Sequence, residues 1–250
     1  MVKSFVRSFG CIQWILLIPL LISFPVLAGH DETLRFHIPA ADYPPYVIIE
    51  GDNISGLMVE PLQQAAERLG IELVLIPLPT MRAEVMLQQH EIDVRFKSPD
   101  WVADPENYLW SDTILIAEDI LIFPRNAGLR LEKVEDLIGM EVLVGLGYHY
   151  PTLQGLFEQE QITRVDFAFT RDILPALLKE DAEVQRVAVL NADVARWLIN
   201  EDPRLADTFE FSDWVVESSP LKYQFVRTDR MAELVPKLNV ELKKVLADQR

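Results

Sequence analysis

Tyr43 and Tyr46 bracket Pro44-Pro45 in the stretch Asp42-Tyr43-Pro44-Pro45-Tyr46. Two consecutive prolines forbid a helix there, because proline lacks a backbone donor and drives the residue before it toward extended geometry. Both rings therefore sit on a stiff loop where a flat ligand can lie against one face; packing of the loop onto the core is the alternative use of the same rings. The chemistry on offer is stacking and hydrogen bonding. Motifs for bond-making are missing: there is no HExxH, no GxSxG, no P-loop and no dinucleotide glycine pattern. His30, His37, His90 and His149 are scattered without metal-ligand spacing, and no cofactor is implied. Carboxylates are plentiful enough to leave a general acid or base open.

The elements that must position these rings begin after residue 28. Residues 1–28 read as a secretory signal peptide, with Lys3 and Arg7 at its basic start, an apolar run over 11–24 and a small-residue cleavage site at Val26-Leu27-Ala28. The run is shorter than the roughly 20 residues that span a bilayer, which favours cleavage over a retained anchor. Cys11 lies in this leader without a lipoprotein context, so a mature chain from about Gly29 holds no disulfide and no thiol nucleophile. Losing Lys3 and Arg7 makes the formal charge of −16 two units more negative. That excess disfavours nucleic acid and anionic membranes as partners, although a local pocket can oppose the global field. Half of the residues are hydrophobic, enough to build a core in one large or two small domains.

Strand, helix and strand follow one another twice in the first half. A strand over 34–38 leads to the tyrosine loop; a helix over 58–69 stops at Gly70; 71–76 is a strand, 81–89 a helix and 92–96 a strand. This is the βαβ pattern of a parallel sheet. Residues 97–112 form a long loop with two tryptophans, and 114–123 reads as two short extended pieces broken at Glu118-Asp119. The pattern then restarts. Strands are predicted over 141–144, 165–169 and 186–190, and helices over 152–160, 173–179 with Thr170 as N-cap, and 191–199. Extended pieces at 209–216 and 223–226 and an amphipathic helix over 231–246 close the chain.

With these residues in place, the chain resembles the bacterial extracellular solute-binding proteins of family 3, the periplasmic receptor class associated with amino-acid ABC importers. The resemblance covers essentially the whole mature chain. It rests on Tyr43-Pro44-Pro45-Tyr46, where the family has a YPPF-like loop, and on Ile54-Ser55-Gly56-Leu57-Met58-Val59-Glu60 before a helix ending Arg68-Leu69-Gly70. It also rests on Arg82 with 87–93, on Trp110-Ser111-Asp112, and on Val134-Glu135-Asp136-Leu137-Ile138-Gly139. Each piece is weak alone; their common order and spacing carry the match. The resemblance implies an α/β, two-lobed periplasmic-binding-protein fold of type II, each lobe a mostly parallel sheet flanked by helices. Lobe 1 would hold 29–117 plus 220–250 and lobe 2 would hold 118–219, with the ligand in the cleft between them.

The same resemblance supplies candidate ligand contacts beyond Tyr43 and Tyr46. Lys97 and Ser98 match cleft-lining positions, and Arg82 matches a family arginine, with Thr80 beside it and Trp101 as a stacking wall. Tyr148, His149 and Tyr150 stand where the family has a Gly-Ser/Thr-Thr turn, so their bulk implies ring stacking or a smaller pocket; a surface loop before the helix start at Pro151 is the plain alternative. Two departures bear on the ligand. The family's carboxylate-clamping arginine is absent from Pro99-Asp100-Trp101-Val102-Ala103-Asp104-Pro105-Glu106, and its ammonium-binding aspartate falls at Asn191, with Asp193 two residues on. Lys97 can replace the arginine only as a point charge. The implied function is capture of a small polar solute, amino-acid-like or a small carboxylate, by a periplasmic monomer without chemistry, serving an ABC permease or a membrane sensor. A dehydratase-like lyase on the same fold is the alternative of a different class, and no nucleic-acid partner is implied.

Overall fold

The computed structural model describes residues 33–179 and 184–248 of the 250-residue chain. The expected signal peptide lies outside the described residues. The described residues belong to one compact unit. Its first half runs β1 (Thr33–Pro39), the short hairpin β2 (Ile48–Glu50) and β3 (Asn53–Ser55), α1 (Glu60–Arg68), β4 (Glu72–Leu78), α2 (Thr80–Gln88) and β5 (Val94–Lys97). Next come β6 (Tyr108–Trp110) and β7 (Leu115–Pro124). The second half adds β8 (Glu141–Gly145), α3 (Pro151–Glu158), β9 (Thr163–Phe167), α4 (Ile173–Leu177), β10 (Arg186–Asn191) and α5 (Ala192–Glu201). The chain closes with β11 (Phe209–Val226) and α6 (Asp229–Asp248).

The sheet path runs β4-β1-β5-β11-β7-β10-β8-β9, with β6 also on β11. Its two flanks are parallel, β1 between β4 and β5 at one end and β8 between β10 and β9 at the other. The antiparallel strands β11 and β7 join them. Apolar side chains collect separately on the flanks. Leu34, Phe36 and Ile38 of β1 pack with Leu62, Ala65 and Ala66 of α1 and with Leu234 and Leu238 of α6. Val142, Val144, Leu153 and Val189 form a core in the second half. The 3.6-residue spacing of α1 turns its apolar stripe inward, and the helix stops at Gly70, whose φ of +71° lets Gly70 N–H and Ile71 N–H reach back to Glu67 and Ala66 carbonyls.

Three local expectations are corrected. Residues 115–124 form one strand, not two pieces, because the break falls in the partner: register shifts lie at Val215 in β11, while Glu118 points to solvent. Likewise the two extended pieces near the C-terminus are one strand, Phe209–Val226. Thr170 is not the helix N-cap; it opens a short 3-10 turn, and Asp172 precedes α4 without a side-chain cap.

Arg95 lies in β5 in one cross-strand row with His37 and Gln224. Its side chain is 2% exposed, Nε donates to Gln224 Oε1 at 2.6 Å, and the nearest carboxylate, Glu84, stands 3.7 Å from Nη1. Burial drives its pKa down, which expresses the cost of keeping this charge with so little compensation. Gln224→Leu, which removes the one short hydrogen bond to a buried cation, is expected to destabilise by about 1.5–3 kcal/mol. Arg95→Met is expected to cost less, or to stabilise, since an apolar side chain of similar length replaces the charge. Urea denaturation of the two variants checks the order.

Candidate functional site

The Tyr43-Tyr46 loop is fixed before any ligand is considered. Pro44-Pro45 is a cis peptide, and Tyr43 N–H donates to Val47 O at 2.9 Å. Leu57 N–H and Met58 N–H, each at 3.0 Å, donate to the Pro45 and Tyr46 carbonyls and stitch the loop to the entry of α1. The two rings stack at 5.5 Å with an interplanar angle of 22°. Tyr46, 1% exposed, then reaches into the second half: its hydroxyl donates to Asn191 Oδ1 at 2.8 Å and lies 3.2 Å from Asp193 Oδ2. Asn191 ends β10 and caps α5, its Oδ1 accepting from Asp193 N–H and Val194 N–H.

A second aromatic pair faces the first. Tyr148 and Tyr150 stack at 6.4 Å and 21°, and Tyr148 Oη approaches Tyr43 Oη at 3.5 Å. The carbonyls of Gly145 and Tyr148 accept from Arg164, which is itself paired with Asp166 at 2.9 Å. Gly145 has a packing reason to be glycine: a Cβ there would stand 2.9 Å from Tyr148 Cδ2 and 3.1 Å from its Cε2. Gly145→Ala is therefore expected to push the Tyr148 ring out of position and to weaken solute binding about tenfold or more while costing little stability; titration calorimetry beside a thermal melt separates the two effects.

Between these pairs lies a pocket walled by Tyr43, Tyr148 and Tyr150, with Asp119, Asn191 and Thr170 as its polar lining. Gly145, Leu190 and Val194 complete it. Its cavity volume is about 10 Å³, the size that holds one water, so a larger solute enters only if the walls part. Asp119 was read in the sequence only as a break. Cross-strand register puts it in one row with Glu217 of β11 and Asn191 of β10. Burial first, and then the charge of Glu217, pushes its pKa up to about 6. Glu217 is engaged with Thr152 N–H at 2.7 Å, and Asp193 with Arg196 at 3.5 Å. Burial also raises the phenols of Tyr43, Tyr46, Tyr148 and Tyr150, so none is a base near neutrality.

Six of the candidate residues meet here: Tyr43, Tyr46, Tyr148, Tyr150, Asn191 and Asp193. The other six stand elsewhere. Thr80 and Arg82 are exposed on α2, His149 points to solvent, and Trp101 is 52% exposed on a 3-10 turn. Lys97 stands 3.9 Å from Glu84 of α2, and Ser98 is buried with Oγ accepting from Asp100 N–H at 3.2 Å. Asp119 and Thr170 were missed. Thr170 was legible only as a helix start, and Asp119 needed the strand register.

No protein-family model matches the chain, and no curated protein matches it. Solved structures share its fold. A mutant of ArgBP from T. maritima gives a TM-score of 0.63 at 22% identity, covering 86% of this chain and 90% of that one. The GluR0 ligand-binding core in complex with L-glutamate gives 0.68 at 17% identity, over 88% and 95%. The ancestral amino-acid-binding protein AncCDT-1, a precursor of cyclohexadienyl dehydratase, gives 0.63 at 20% identity, over 87% and 90%. These likenesses establish the fold, the α/β architecture of two-lobed binding proteins that the sequence resemblance implied. No described helix is long and apolar enough to cross a membrane.

Proposed function

We propose that the protein is a periplasmic solute-binding protein that captures a small molecule by closure of its two α/β halves. The observation that carries this reading is the aromatic pocket where loops of the two halves meet, bridged by Tyr46 to Asn191 and by Tyr43 to Tyr148. Ligands of open α/β sheets bind beyond the carboxyl ends of strands, and Tyr43, Tyr148 and Asn191 all follow or end strands of the sheet. Closure is a hinge motion, with β7 and β11 as the crossing strands. Lobe 1 as 29–117 plus 220–250 and lobe 2 as 118–219 fit that arrangement. Export through the signal peptide and delivery to an ABC permease or a membrane sensor belong to the same proposal.

A second reading, a lyase on the same fold, has one observation in its favour. The Asp119 carboxyl, held near 6, sits beside the Tyr148 and Tyr150 hydroxyls, where it could exchange a proton with a bound acid. A thermal-shift screen against amino acids, small carboxylates, amines and aromatic acids decides between them. A solute that raises the melting temperature and is recovered unchanged supports the binder, since only folded-state binding shifts the melt. Conversion of the solute supports the lyase, and no shift with any member counts against both.

A further inference from the structure

We infer that the solute is an organic ammonium ion without a carboxylate, held by Asp119 and the faces of the surrounding tyrosines. The inference rests on the binding reading above and goes beyond it by fixing the charge of the ligand. Asp119 brings the pocket its one charged side chain, and no lysine or arginine is among the lining residues. The neighbouring cations are committed elsewhere. Arg164 is held by Asp166 and by the carbonyls of Gly145 and Tyr148, and Arg196 stands against Asp193 and over the Phe211 ring. Glu217, opposite Asp119 in the sheet, and Asp193 already have partners in Thr152 N–H and in Tyr46 and Arg196. No hydrogen bond or ion pair engages the Asp119 side chain among the described residues, and the directly opposed Glu217 makes its charge still harder to keep alone.

A cation resolves that arrangement. Its charge meets Asp119, while its alkyl surface meets rings whose quadrupoles attract positive charge, supplied by Tyr43, Tyr148 and Tyr150 of the lining. A carboxylate meets the reverse: no donor of positive charge and a repelling Asp119. An α-amino acid would satisfy one end and bury the other against nothing, which costs more than the first end gains. Tyr148, 46% exposed, is the ring of the lining most open to solvent, whereas Tyr150 is buried.

Titration calorimetry of the protein at pH 7.5 with tetramethylammonium and n-butylammonium, beside butyrate, n-butanol and L-glutamate, tests the inference. Saturable binding of an ammonium probe, with butyrate and L-glutamate at least tenfold weaker, is expected. Asp119→Asn should weaken the ammonium probe tenfold or more, and Tyr148→Leu should do the same while Tyr148→Phe retains it, because the ring face and not the hydroxyl is used. Thermal melts of each variant show that it is folded. Tighter binding of butyrate or L-glutamate, or ammonium binding that survives Asp119→Asn, overturns the cation assignment and leaves the solute-binding reading standing. Failure of the ammonium probes together with a hit elsewhere in the wider solute screen does the same. Failure of every solute overturns both.

Discussion

Gly56→Ala is expected to destabilise the protein by roughly 3 kcal/mol or more and to abolish solute binding in whatever remains folded. Gly56 has a φ of +118°, a region that side-chain-bearing residues reach only at a cost of about 1–3 kcal/mol. A Cβ there would also stand 2.6 Å from the Tyr46 carbonyl oxygen and 2.8 Å from that of Pro45. Both neighbours are backbone, and both accept hydrogen bonds from Leu57 and Met58, so neither can swing aside. The clash therefore falls on the stitch that holds the tyrosine loop, and through Tyr46 on the contact with Asn191. Gly51 is the control, since it also has positive φ but open space around its Cβ position. Gly51→Ala should cost only about 1 kcal/mol and leave binding intact. Equal losses in the two variants, read by urea denaturation, would contradict the account.

The second large effect is opposite in sign. Asp119→Asn is expected to stabilise the ligand-free protein at pH 7.5 by about 2 kcal/mol while weakening ammonium binding tenfold or more. The Asp119 carboxyl titrates at about 6 in the fold against 3.8 for an ordinary aspartate, chiefly through burial and then through Glu217. Two pK units correspond to about 3 kcal/mol at most, reduced here by partial exposure. Because the folded pKa lies above the unfolded one, the folded state binds the proton more tightly. The favourable contribution is thus fully present below pH ~4 and is lost as pH rises through about 6. The native protein should lose stability between pH 5 and 7.5 relative to Asp119→Asn, and the difference should shrink toward pH 4. Parallel stability curves for the two proteins over that range would refute the role given to this carboxylate. A group that costs stability when its pocket is open to no cation is what a binding site retains for function.

How much of this was legible in the sequence depended on whether local chemistry or strand register fixed the residue. The tyrosine loop was legible because two consecutive prolines leave the backbone few options. Asn191 enters through the resemblance and as the first residue of a predicted helix; in the fold it stands one place before α5 and caps it. The βαβ order of both halves followed from period and punctuation. Asp119 was not legible in this way: in the sequence it is a charge interrupting an apolar run, and only the pairing with Asn191 and Glu217 turns it into the floor of a pocket. The long strands β7 and β11 were misread as pieces for the same reason, since a bulge in one strand is invisible from the composition of the other. The resemblance places Lys97, Ser98 and Arg82 in the cleft, whereas in the fold Lys97 stands by Glu84, Ser98 accepts from Asp100 N–H and Arg82 is exposed on α2, none of which a motif encodes.

Closure itself is the claim on which everything else turns, and the distance between the halves measures it. Cys11 is the single cysteine of the chain and leaves with the proposed signal peptide, so Gln88→Cys on α2 and Glu158→Cys on α3 in the mature protein put one spin label on each half. Double electron–electron resonance should give a broad distance distribution without solute. Saturation with the screen member that raises the melting temperature most should make it shorter and narrower, and Tyr46→Ala, which removes the bridge to Asn191, should blunt that response. An unchanged distribution at saturation would contradict capture by closure.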